Sequence, residues 1–162
     1  MLTDTEERAV WERFRREFAF RPSVRAEDWP GIREPAPSIT YAIPERYNED
    51  DLENLDRHVL RAFRACTGPE ERLYALDWQH ACFWLRPHAK LPDDGTRVWS
   101  IPVLPTGDYA IFLAESFRFG IFGHPWERTW CVFGAELLAA FEDETPRLFS
   151  SVMRQSGAGP AP

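Results

Sequence analysis

Lysine is almost missing from this chain: Lys90 stands alone against eighteen arginines. Codon usage in a GC-rich bacterial genome accounts for that imbalance, so it assigns no role by itself. There is no basic stripe either, and the formal net charge is −7. Without cations to displace counterions from phosphates, nucleic acid is excluded as a partner, and anionic membrane surfaces are disfavoured on the same ground. No apolar run approaches membrane-spanning length, and no secretory signal precedes the charged start MLTDTEERAV. The expectation is a soluble, cytoplasmic protein. Cys66, Cys82 and Cys131 are odd in number and widely spaced, with no CxxC, which excludes a disulfide framework and the usual zinc signatures. Nucleophile elbows, P-loops and dinucleotide fingerprints are absent, as are internal repeats and domain linkers.

What is present is aromatic. Seven Trp and twelve Phe in 162 residues supply large flat side chains that fill a core and also favour recognition surfaces. A chain of this length is one domain and buries about 70% of its unfolded surface, enough to fold without disulfides or metal.

The run from Trp99 to Gly134 is the most informative. Aromatic and β-branched segments are cut by turn signals at PTGD, AESF and GHPW, the pattern of an antiparallel meander whose central strands are apolar on both faces. It predicts strands over Trp99–Val103, Tyr109–Ala114, Phe117–Phe122 and Thr129–Phe133. Ser38–Ile43 reads as an edge strand after a proline-rich connector, 21–37, whose Trp29 and Ile32 need burial. Leu73–Leu76 and Ala81–Leu85 read as two more strands, with a single bulged strand as the alternative, and 87–96 as a loop with a turn at Asp94-Gly95.

Thr3 to Phe18 predicts a helix capped by Thr3 or Thr5, with Val10, Trp11, Phe14 and Phe18 on one face. A second helix over 50–66 is capped by Asn48 or Asp50 and carries the stripe Leu52, Leu55, Val59, Leu60, Phe63 and Cys66. Gly134 releases the chain into a short third helix, Ala135 to Glu142. The expected fold is α+β. A single domain over 1–154 holds an antiparallel sheet of about six or seven strands. The two main helices and the short C-terminal one pack mostly on one face, and residues 155–162 form a disordered Gly/Pro/Ala tail.

The segments YALDWQHACFWLRPH (74–88), VLPTGDYAIFLAESFRFGIFGHPW (103–126), CVFGAELLAAF (131–141), VWERFRREFAFRPS and REPAPSITY span nearly the whole chain. Together they resemble a bacterial family catalogued as domain of unknown function family 2716. The resemblance implies a single-domain, soluble bacterial protein and transfers no activity, cofactor or catalytic residue. In strand and turn style only, the Gly107-Asp108-Tyr109 turn is similar to one in an immunity-protein family.

Polar residues inside the aromatic region are the candidates for chemistry: Asp77, Gln79, His80, His88, Asp108, Arg118, His124 and Glu127, with Trp78 and Trp126 beside them. Each also has a plain structural reading. Asp77 suits an Asx-turn, Asp108 a hairpin turn, and His124-Pro125-Trp126 a rigid corner whose His-Pro bond is cis or trans. The functional reading gathers Asp77, Trp78, His80, His88, Arg118, His124, Trp126 and Glu127 at one end of the sheet as a binding site. His80 and His124 are then the weak candidates for acid–base work. A metal centre drawn from Asp77, His80, His88 and His124 matches no ligand spacing, so no metal or cofactor is expected. A Cys–His nucleophile from Cys82 or Cys131 with His80 or His124 is disfavoured because apolar strands raise thiol pKa.

Three functional readings follow. The first is a non-catalytic protein-binding module, immunity- or antitoxin-like, whose partner is another protein, the net charge permitting a basic one. The second is a small enzyme or small-ligand binder using a His/Arg pocket at one sheet end. The third is a homo-oligomeric scaffold subunit. Whether the chain is an enzyme is left open by the residues.

Overall fold

Seven antiparallel strands form one sheet in the order β3-β2-β4-β5-β6-β1-β7. The structure, a computed structural model, describes residues 1–90, 99–142 and 144–157. In chain order the elements are α1 (Asp4–Phe18), β1 (Ser38–Ala42), α2 (Glu49–Cys66), β2 (Leu73–Asp77), β3 (Phe83–Leu85), β4 (Ala110–Ala114), β5 (Gly120–His124), β6 (Thr129–Phe133), α3 (Ala135–Glu142) and β7 (Val152–Ser156). The fold is α+β, as the alternation of periods required.

Capping boxes start both long helices. The Thr3 hydroxyl accepts the Glu6 N–H while the Glu6 carboxylate accepts the Thr3 N–H, and Asn48 and Asp51 reciprocate in the same way at α2. Every residue of β4, β5 and β6 is buried, because helices cover both faces of the sheet. Phe112, Ile121, Trp130 and Val132 point to the face covered by α2 and α3, where Leu55, Val59, Phe63, Leu137 and Phe141 meet them. Ile111, Leu113, Phe122 and Phe133 point to the other face, under Trp11, Phe14 and Phe18 of α1. Two of the three helices thus share a face, and α1 closes the second. No helix among the described residues is long and apolar enough to cross a membrane.

Several expected boundaries move. Trp99–Val103 is no strand: Pro102 and Pro105 remove ladder donors, so 99–105 runs irregularly over the sheet. It still buries Ile101, Val103 and Leu104 and stacks Trp99 edge-on against Phe63 and Phe112. The third meander strand begins at Gly120 rather than Phe117. Phe117 sits at φ +65 in the turn, where its N–H donates to the Ala114 carbonyl. β7 carries the sheet through Ser156, two residues past the expected boundary at 154, with Ser156 opposite Ser38. The turn expected at Asp94-Gly95, and the last residues of the tail from 158, lie outside the described residues.

Candidate functional site

Register fixes which loops share an end of the sheet. Asp77 pairs with Ala110, Ala110 with Gly123, and Gly123 with Trp130. The end of β2, the start of β4 and the β5–β6 turn therefore stand side by side, and all the residues singled out in the sequence except His88 and Arg118 lie at that end.

At the β2–β4 corner, His80 Nδ1 lies 2.9 Å from the Asp77 carboxylate and 3.8 Å from that of Asp108. The His80 ring is mostly in solvent, whereas both carboxylates are largely covered. The Asp77 hydrogen bond raises the His80 pKa above its ordinary value, with the charges of Asp77 and Asp108 adding to it. Burial raises the Asp108 carboxyl, and Asp77's negative charge pushes the same way. The N–H groups of Tyr109 (2.7 Å) and Gln79, donating to it, offset only part of that. One ligand atom from each of Asp77, His80 and Asp108 lies within 4.8 Å of the others, so these three side chains together could hold a cation, organic or metallic. They border an open cleft of about 330 Å³ that also touches Gln79, Pro102 and Thr106.

Behind this corner, Tyr109 is the hub. Its ring stands against Trp78 (5.9 Å), His124 (4.9 Å) and Trp126 (5.2 Å). His124 is the last residue of β5 and fully buried, not a turn residue, and the bond to Pro125 is trans; cis bonds precede Pro30 and Pro37. Its Nδ1 accepts the Glu127 N–H at 3.0 Å. Burial pushes the imidazole down to about 4, with the nearby Glu127 charge opposing and Arg154 assisting. Its Nε2 is buried with no hydrogen-bond partner, which holds for no other buried side-chain polar atom among the described residues.

Glu127 turns away into a different cluster. Arg154 of β7 holds both Glu127 and Glu34, while Thr129 donates to Glu127 and Thr40 to Glu34. His88 and Arg118 do not join the site at all. They lie at the opposite end of the sheet and fasten the C-terminus of α2: His88 Nε2 bonds Thr67 (3.0 Å to its carbonyl), and Arg118 donates to the Cys66 carbonyl and pairs with Glu71 and Glu136. The thiols of Cys66 and Cys82 are pushed up by burial to about 11 and that of Cys131 to about 12, far from thiolate formation near neutral pH.

Sequence reasoning missed Tyr109 as the hub, Arg154 and Glu34, and His58. The last is buried on α2, with Nδ1 2.6 Å from the Asn54 carbonyl and Nε2 2.8 Å from Glu144. The stripe at Leu55 and Val59 offered the only signal for His58, and it marked a core face.

The family model described as "Protein of unknown function (DUF2716)" matches residues 1–138. The chain is also similar to "Uncharacterized protein YxiI" of Bacillus subtilis (strain 168), 33% identical over 156 residues that cover 91% of this chain and 94% of the relative. No solved structure matches.

Proposed function

The chain belongs to the DUF2716 family, and for this member we propose a non-catalytic binding module of the immunity type, working in the cytoplasm and capping a basic protein. The observation that carries this reading is the meeting of two carboxylates, Asp77 and Asp108, around one solvent-facing imidazole, His80. A guanidinium or ammonium on a partner finds two acceptors at one rim there, in charge-assisted geometry. The half-buried Trp78 beside Asp77 adds an aromatic contact of the kind that anchors interfaces. The net charge of −7 steers a cationic partner toward the chain. His88 and Arg118 are engaged in holding α2, which supports binding over catalysis at this end.

The test is affinity capture from the source organism with the tagged chain and with the D77N/D108N double variant, in EDTA so that no metal ion bridges the three side chains. The recovered partner is then purified and its Kd measured at low and moderate salt. The expected result is a basic partner bound about tenfold or more weaker by the double variant, with affinity falling as salt rises. A partner held equally by both proteins, or affinity indifferent to salt, overturns the assignment to this rim.

A further inference from the structure

The segment from Arg21 to Gly31 is a loop closed on itself. The Arg21 N–H donates to the Gly31 carbonyl at 2.8 Å, the Ser23 hydroxyl to the Asp28 carboxylate at 2.7 Å, and the Trp29 indole N–H to the Ser23 carbonyl at 3.3 Å. Among the described residues, one group ties this loop to the rest of the molecule by hydrogen bonds. The Tyr109 hydroxyl accepts from the Ser23 N–H at 3.0 Å and donates to the Ser23 carbonyl at 3.3 Å. Beneath the loop lies the fully buried His124. Its Nδ1 is an acceptor, so the neutral ring carries its proton on Nε2, the atom without a partner. A Cβ built on Gly31 would stand 3.8 Å from that Nε2 and 3.6 Å from the Tyr109 hydroxyl. Both polar atoms face the same point, covered by a residue that brings no side chain.

We propose that Arg21–Gly31 is a lid over a second binding site, in which His124 Nε2–H and the Tyr109 hydroxyl receive a planar aromatic carboxamide. A compact loop held by one hydroxyl and ring contacts opens at far lower free energy than the central strands. When it lifts, the Tyr109 hydroxyl loses the Ser23 N–H as donor and the Ser23 carbonyl as acceptor, and a primary amide, which carries both kinds of group, replaces them. The amide carbonyl also gives His124 Nε2–H the acceptor it lacks under the closed lid. The ligand's ring replaces the Trp29 indole, which stands edge-on to His124 at 5.5 Å, against an imidazole that Trp126 and Phe122 flank in turn. Glu127 and Arg154, the charged groups acting on His124, already pair with each other, so the site favours a neutral ligand.

Benzamide titrated into the whole protein, followed by tryptophan fluorescence and by the histidine side-chain NMR signals, tests this. Lid and ligand compete for the same atoms. W29A, which removes the lid's ring anchor, is therefore expected to bind benzamide about tenfold tighter than the unaltered chain. Y109F in the W29A background is expected to lose that gain, and toluene, the ring without the amide, to bind more weakly than benzamide. D28A loosens the same lid without touching the site and carries the same expectation should W29A fail to fold. D77N, which alters the acidic rim at a carboxylate bonded to His80 and not to Tyr109, leaves the titration unchanged and separates this site from the rim. A folded loosened-lid variant with no saturable shift at His124, shifts mapping elsewhere, or binding indifferent to Y109F overturns the proposal.

Discussion

Arg154 grips Glu127 with both terminal nitrogens, Nη1 to Oε1 at 2.6 Å and Nη2 to Oε2 at 2.9 Å. The same guanidinium reaches Glu34 at 2.8 Å, so one side chain of the edge strand joins the β5–β6 turn to the proline-rich connector. Burial alone would raise the Glu127 carboxyl; the Arg154 and Thr129 hydrogen bonds outweigh it and hold it below the usual carboxylate range.

Replacing Arg154 by Met leaves two covered carboxylates facing each other without a counter-charge. R154M is expected to lose about 3 kcal/mol near neutral pH. A carboxyl held low stabilises the fold above its ordinary pKa, and that stabilisation is lost as pH falls through the lowered value. In R154M Glu127 is no longer held low and takes up its proton at higher pH than in the unaltered chain, which relieves the penalty as pH falls. The gap between the two proteins, read from urea midpoints, should therefore be wide near neutral pH and narrow toward about pH 4. A gap constant with pH would show that the lost stability comes from packing of the arginine stem.

The Arg154 contact also explains what the sequence could and could not disclose. β4 and β6 were legible because AIFLA and TWCVF are continuous apolar runs between turn residues, and the helices because Thr3, Asn48 and their apolar stripes obey local rules. VMRQS of β7 obeys none of them. Its Val152 and Met153 are exposed, and its place in the sheet depends on partners such as Glu34, 120 residues away. Trp99–Val103 failed for the opposite reason: its apolar content suits a strand, but its prolines do not. The candidate site divides the same way. His80 lies three residues from Asp77, a contact of short range that a turn dictates. The separation of Arg118 from His124 is set by the run of β5, Gly120–His124, which puts one before its start and the other at its end; His88 follows β3, beyond the start of β2, and only the strand pairing shows that this is Arg118's end.

His124 sets an acid limit on the fold. Its imidazole is held near 4 by burial against an ordinary value near 6.5, so it folds neutral and the unfolded chain takes up the proton first. The fold loses stability as pH falls from about 6.5 to about 4, by about 3 kcal/mol in all. H124Q cannot titrate. Its unfolding free energy should lack this component, so urea titrations of the two proteins at a series of pH values should diverge over that window. Parallel curves would mean the ring is reached by water in the folded state.

Gly134, at φ +93, links β6 to α3 in a backbone conformation that side chains resist. A Cβ there would stand 2.5 Å from the Phe119 Cβ and 2.6 Å from the Arg118 carbonyl oxygen, atoms of a turn that cannot retreat. G134A is expected to cost about 3 kcal/mol, since strain and overlap act together. Gly68 provides the contrast: nothing lies within 4 Å of its would-be Cβ, and G68A should change thermal stability by less than about 0.5 kcal/mol. Equal effects at the two positions would remove the steric explanation.

His80 makes the acidic rim sensitive to pH in a direction opposite to the local fold. Its ring is held protonated above the ordinary histidine range by the Asp77 hydrogen bond and then by the charges of Asp77 and Asp108. The ion pair's own contribution is present at low pH and fades as pH rises through that raised value, and because the ring is exposed, thermal unfolding should hardly register it. Cation binding moves the other way. A protonated ring cancels one of two carboxylates, and a neutral ring leaves both for the incoming charge. Hexa-arginine titrated calorimetrically at about pH 6 and about pH 8.5 should bind roughly threefold to tenfold tighter at the higher pH. H80Q should bind with little dependence on pH, and D77N/D108N should bind weakly throughout. If H80Q keeps the full pH slope, the titrating group is another one, and Asp77 and Asp108 do not act through His80.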